Sequence, residues 1–154
     1  MYVVGVILLM VAAPLFSIGN DRYIHHVSTP PILLAGKWFV FWSGGIRLAS
    51  AGLLQLFRPR FTAAGIFGIQ SDDPLPFVQE LGCANLATGA AGIMSIARPE
   101  FVLPIAIVSA IFYGIAGGRH IADRHRSPRQ NLVLATDWFV SLVLIGYIAQ
   151  AVAR

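Results

Sequence analysis

Three residues of this chain stand where charge is hard to keep. Arg47 lies at the middle of an apolar run, WFVFWSGGIRLASAGLLQLF, at residues 38 to 57. Glu80 lies in FVQELGCANLATGAAGIMSIA and Asp137 in NLVLATDWFVSLVLIGYIAQAVA, each the single acid of its run. An ionisable group at the centre of a bilayer costs about 2.5–3.5 kcal/mol on insertion scales, so such groups turn toward the inside of a bundle and find partners. One cation and two anions on separate segments can form ion pairs that fix helix register. They can also hold a small anion, a proton or the polar head of an apolar molecule. A pocket at Arg47 holding non-protein density favours a ligand; a dry, fully packed Arg47–carboxylate pair with no cavity argues against one.

Other polar residues fall near these three. Ser43, Arg47, Ser50 and Leu54 follow a 4-3-4 spacing, which places Arg47 on a helix face with small polar neighbours. Asn85, Gln79, Gln55, Ser43 and Ser50 can complete a hydrogen-bond network. His120 ends the run FYGIAGGRH and reads as an interfacial or capping histidine, with a metal ligand or proton relay as the alternative. Glu80, His120 and Asp137 are ligand types that suit Fe, Mn or Zn. No HxxxH, ExxH or HExxH spacing supports a site, and Arg47 nearby opposes a cation, so no metal, haem or other cofactor is expected. Cys83 is the one cysteine, which excludes an intrachain disulfide, and it reads as a small packing residue. His25 and His26 read as a solvated connector pair. There is no nucleophile elbow, P-loop or dinucleotide fingerprint to identify an enzyme.

The elements that must position these groups are read from hydropathy. The 154 residues are 56% hydrophobic and 12% charged, against about 25% charged in a soluble domain. The mean hydropathy is +0.72, and a soluble fold of this composition would expose large apolar patches. Membrane-length runs recur along the whole chain, predicting an all-α fold: one polytopic transmembrane helical bundle over 1–154. Five helices are predicted, at 2–18, 38–57, 74–97, 101–118 and 131–153. The last four form the core, and the first packs outside or at the edge, with a bend at Pro14. The first run reads as a retained helix, because it has no basic n-region and no small-x-small cleavage site. In the connector 58–75, Thr62 is placed to cap a short interfacial helix through Phe67. Asp73 and Pro74 read as N-cap and first residue of the next helix.

Five spans bring the N-terminus and the connectors 58–75 and 119–130 to one side. That side carries Arg58, Arg60, Arg119, Arg124, Arg126 and Arg129, against Arg22, Lys37, Arg98 and Arg154 on the other. The excess favours a cytoplasmic N-terminus. Trp38, Trp42, Tyr113, Trp138 and Tyr147 include candidate interface anchors. Glu80 then lies one to two turns inside the membrane, and Asp137 lies roughly 9 Å past Asn131. Arg47 at mid-depth reaches toward both through its long stem. Arg47, Glu80, Asn85, His120 and Asp137 thus gather in one half of the membrane. The third segment is rich in Gly and Ala, which let helices approach closely in lipid. It is therefore expected at the centre, burying Glu80. The net charge of +4 forms no basic helix face, so nucleic acid is excluded as a partner. Expected partners are the lipid bilayer, a small lipophilic or anionic ligand, and a second copy or a larger membrane complex.

GKWFVFW (36–42), RLASAGLLQ (47–55), RFTAAGIFGI (60–69), ELGCANLATG (80–89), FYGIAGGRH (112–120) and TDWFV (136–140) resemble an uncharacterised family of small bacterial integral membrane proteins, known as a domain of unknown function. The resemblance covers nearly the whole chain, and ELGxANLxxG is its most specific part. It implies a bacterial inner-membrane protein and supports the choice of Arg47, Glu80, Asn85, His120 and Asp137, but supplies no activity. More loosely, the bundle is similar to DoxX-like proteins, some of which are small subunits of quinone-linked oxidoreductases. Three functions stay open: a structural or accessory subunit first, then a binding or transport protein for a small molecule, anion or proton, then a quinone-linked redox subunit.

Overall fold

The computed structural model describes residues 2–66, 68–122 and 128–153, and for residues 2, 120, 122, 128 and 129 the backbone alone. Among the described residues the chain is helical, without strands. Helix α1 covers Val3–Ile24 and α2 covers Pro31–Phe57. A short α3, Pro59–Gly65, precedes α4, Leu75–Met94. A 3-10 turn at Pro99–Phe101 leads into α5, Val102–Ala122, and α6 covers Pro128–Val152. Four stretches are long and apolar enough to cross a membrane: α1, α2, α5 with its leading turn, and α6. The fold is that of a multi-pass membrane bundle. The fifth expected span, α4, matches them in length but is less apolar.

Prolines set most of the starts. Pro31, Pro59, Pro99 and Pro128 each open a helical element. A proline there wastes no hydrogen bond, because the first N–H groups of a helix have no partner inside it. The Pro30-Pro31 pair therefore begins α2 rather than filling a connector. Thr62 lies inside α3 rather than capping it, and Phe67 lies outside the described residues. Pro74, not Asp73, occupies the N-cap of α4.

Two helices carry π-turns. In α1 these are Leu8–Ala12, directly before Ala13-Pro14, and Asn20–Ile24. A proline nitrogen cannot donate and its ring crowds the preceding turn, so widening that turn relieves the clash. In α2 the π stretch is longer, Val40–Arg47, and ends on the arginine.

α2 and α4 pack closely through small residues. A Cβ built on Gly92 would lie 2.6 Å from Gly45 Cα, and one on Gly89 would lie 2.3 Å from the Ala49 nitrogen. One on Gly52 would lie 2.6 Å from the Leu86 nitrogen. Backbone meets backbone at successive levels, as small residues permit in membrane bundles. α5 packs along α6, where Ser141 Oγ donates to the Ala110 carbonyl at 2.9 Å. The ring of Tyr147 on α6 packs directly against Gly36 of α2.

The main core contains Phe39, Val40, Leu48, Ala106, Tyr113, Val140 and Leu144, together with Val6 and Met10 of α1. α1 adds these two side chains to the core, yet it is the least buried of the four spans and sits at the edge of the bundle. It is tied to α2 by polar contacts as well. Asp21 accepts from Lys37 Nζ and from Trp38 Nε1, both at 2.8 Å, and Trp42 Nε1 donates to Ser17 Oγ at 3.0 Å. These tryptophans bind the helices to one another. Tyr113 and Tyr147 are buried, so neither is an interface anchor.

Candidate functional site

A cavity of about 830 Å³ lies between α2, α4, α5 and α6, with α3 across one end. Helical spacing explains its walls. On α2, Arg47, Ala51 and Gln55 recur every four residues and line it together. On α5, Phe112, Ile115, Ala116 and Arg119 fall on one stripe, and on α6 Gln130, Val133 and Asp137 do the same. Leu81 and Asn85 face it from α4, and Thr62 and Ile66 from α3 and the residue after it. Leu48, Val108, Ile111 and Tyr113 complete the lining.

The polar groups concentrate at the inner wall. Asp137 is buried, and its carboxylate and the Arg47 guanidinium interact electrostatically. Asn85 Nδ2 donates to Gln55 Oε1 at 2.8 Å in a buried position, which joins α4 to α2 beside the cavity. Tyr113 Oη donates to the Ser43 carbonyl at 2.7 Å. Arg119 is exposed, at the cavity end nearest Phe57, where α5 runs out. Among the described residues, two arginines and one aspartate share a space whose remaining surface is largely aliphatic and aromatic. Such a site can receive a molecule with an acidic head and an apolar body.

Arg47, Asn85 and Asp137 therefore meet at one cavity. Glu80 does not: it is exposed and lines no part of it. The reason is the register between α4 and α2. The close approaches pair residue 92 with 45, 89 with 49 and 82 with 52. Gln79 Nε2 then donates to the Leu56 carbonyl at 3.2 Å, satisfying one of the end groups that α2 leaves open. Glu80 is thus level with the end of α2, at the rim of the bundle. The first turn of α4 projects beyond its neighbour, so counting residues from the start of α4 overstates the depth of Glu80. Cys83, one turn along the same face, is also exposed rather than packed. The side chain of His120 lies outside the described residues, as do Arg124 and Arg126. His25 and His26 are exposed, and His26 has a positive φ of 51°.

The wider hydrogen-bond network divides among separate partners. Ser43 Oγ donates to the Leu9 carbonyl of α1 at 3.4 Å, on the side away from the cavity. Ser50 is exposed and donates to the Ile46 carbonyl of its own helix. The π stretch between Val40 and Arg47 separates Ser43 from Arg47, because each wide turn shifts the faces of the residues that follow. Among the described residues no three His, Cys, Asp or Glu side chains gather as a metal would need. Sequence reasoning missed Arg119, Gln130, Thr62 and Tyr113 as cavity residues. The signal for two of them was present, since Gln130 stands seven residues before Asp137 and Arg119 seven after Phe112, each on one helical face.

The chain belongs to a family of unknown function, DUF6790, whose family model matches residues 1–154. No curated protein and no solved structure matches it.

Proposed function

We propose that this DUF6790 member binds a small amphipathic molecule through an acidic head group, as a carrier or receptor within the membrane. The observation that carries this reading is the roomy, largely apolar cavity reaching Arg47 in the interior of the bundle. A charge pair serving only helix register would be packed dry against its neighbours. Here the arginine, the aspartate and the Asn85–Gln55 amide pair all face shared open space. Arg47 meets the negative group, Asp137 balances and orients the guanidinium, and the aliphatic walls hold the body. In the orientation favoured by the arginine count, the Phe57 end of the bundle faces the cytoplasm of a bacterial cell.

Equilibrium binding of a fluorescent long-chain fatty acid to protein in lipid nanodiscs tests this, with its methyl ester as the uncharged control. A hydrogen bond to a charged group contributes about 1.5–3 kcal/mol, so Arg47→Gln is expected to weaken binding of the acid about 10- to 150-fold. The ester should bind the wild type weakly and the variant no worse. Equal binding of acid and ester by both proteins overturns the role of Arg47. That pattern is also the one expected if an uncharged quinone occupied the cavity, as the wider likeness to DoxX-like proteins would have it. Native mass spectrometry in mild detergent then identifies the molecule carried.

A further inference from the structure

We infer that the cavity is loaded sideways, from the lipid leaflet at its own end of the bundle, through the gap between α4 and α5, and that its ligand is a single-chain acid already dissolved in the membrane. This rests on the reading of the cavity given above and adds the route and the ligand class.

The gap follows from how the helices pair. α4 is held to α2 by the backbone contacts at Gly52, Gly89 and Gly92, and α5 to α6 through Ser141 and the Trp138 ring seated on Gly117. α4 and α5 are joined at the far end by the short turn from Ser95 through Arg98. Toward the Phe57 end the cavity lies between them, with Leu81 and Asn85 on one side and the α5 stripe on the other.

The surface of that gap is apolar. Val108, Ile111 and Ile115 line the cavity, yet they are 46%, 58% and 62% exposed. A residue can be both only where the cavity opens outward, and here it opens on the flank of two membrane-length helices. An aliphatic threshold suits a hydrocarbon chain and is a poor path for an ion leaving water. The aqueous end is covered in part by α3, whose Thr62 is buried beneath it. Arg47 and Asp137 lie behind the threshold, and Arg119 stands exposed at the Phe57 end of the same cavity. An acidic head reaches the guanidinium of Arg47, and its tail is left pointing through the gap to the acyl chains. The cavity volume is that of a site for one drug-sized molecule, which suits a single chain rather than a double-chain lipid.

Closing the gap tests the route. In a Cys83→Ala background, Leu81→Cys and Ile115→Cys place thiols on facing walls, to be joined by a short bismaleimide. Each single-cysteine variant treated alike is the control. The probe is a spin-labelled long-chain fatty acid in nanodiscs. Cross-linking before loading is expected to slow association at least 10-fold, and cross-linking after loading should slow release by a similar factor. Unchanged rates in cross-linked protein that still binds would overturn lateral entry while leaving the cavity reading intact. Absence of binding by the unmodified wild type would instead sink the cavity reading itself.

Discussion

Replacing Gly89 with alanine adds one carbon at the tightest point between α2 and α4. The new Cβ would lie 2.3 Å from the Ala49 nitrogen, 2.7 Å from its Cα and 2.8 Å from its Cβ. Non-bonded heavy atoms rest at about 3.5–4.0 Å, so the helix axes must part by about 1 Å at this level. Two of the three obstructing atoms are backbone and cannot rotate away. Overpacking of this kind costs about 1–3 kcal/mol, and the gain in helix propensity from Gly to Ala returns about 0.5–1 kcal/mol. The difference is a net loss of up to about 2.5 kcal/mol, centred near 1 kcal/mol. For a chain of this size the central value lowers Tm by about 2–4 °C. The assay is thermal unfolding in mild detergent, followed by loss of helical circular dichroism. Gly5→Ala is the internal control, since nothing lies within 4 Å of its added carbon; it should leave Tm unchanged or raise it slightly. Adding Ala49→Gly to Gly89→Ala should restore stability only in part, because it removes the Cβ obstruction and leaves the two backbone ones. If Gly89→Ala and Gly5→Ala behave alike, the backbone-to-backbone packing of α2 on α4 is wrong, and with it the register that sets the level of Glu80.

Two further predictions concern single polar side chains. Glu80→Gln should change stability by less than about 0.5 kcal/mol, as for an exposed site away from the core; a drop in Tm beyond about 3 °C would mean that Glu80 has a partner inside the bundle. Ser109 is fully buried, and among the described residues its Oγ is a buried side-chain polar atom without a hydrogen-bond partner. Ser109→Ala should therefore be neutral or stabilising by about 1 kcal/mol, read as an equal or higher Tm, and a clear loss of stability would reveal a bond that the hydroxyl makes.

Much of the architecture was legible because hydropathy and proline placement are local signals. Apolar runs of membrane length and prolines at their edges mark the helices without knowledge of their neighbours. The convergence of Arg47, Asn85 and Asp137 was legible for a related reason, since charged and amide groups in such runs must turn inward. Glu80 was misjudged because depth is a relation between two helices. Its distance from the start of α4 is written in the sequence, but the overhang of α4 beyond α2 is set by glycine contacts between them. The face shared by Ser43 and Arg47 was misjudged for another reason. A spacing argument assumes uniform pitch, and the turns between Val40 and Arg47 are π. Trp38 and Trp42 were ambiguous because a tryptophan N–H suits a headgroup as well as it suits Asp21 or Ser17.

The wide turns in α2 also reconcile two sets of demands on one rod. Before them, Lys37 and Trp38 must address Asp21 on α1; after them, Ala49 and Gly52 must address α4 while Arg47 and Gln55 address the cavity. A helix of constant pitch offers one angular phase, and these obligations need two. Excising a single residue between Val40 and Arg47 would return the rod to one phase, leaving either the clasp on α1 or the glycine seam on α4 facing the wrong way.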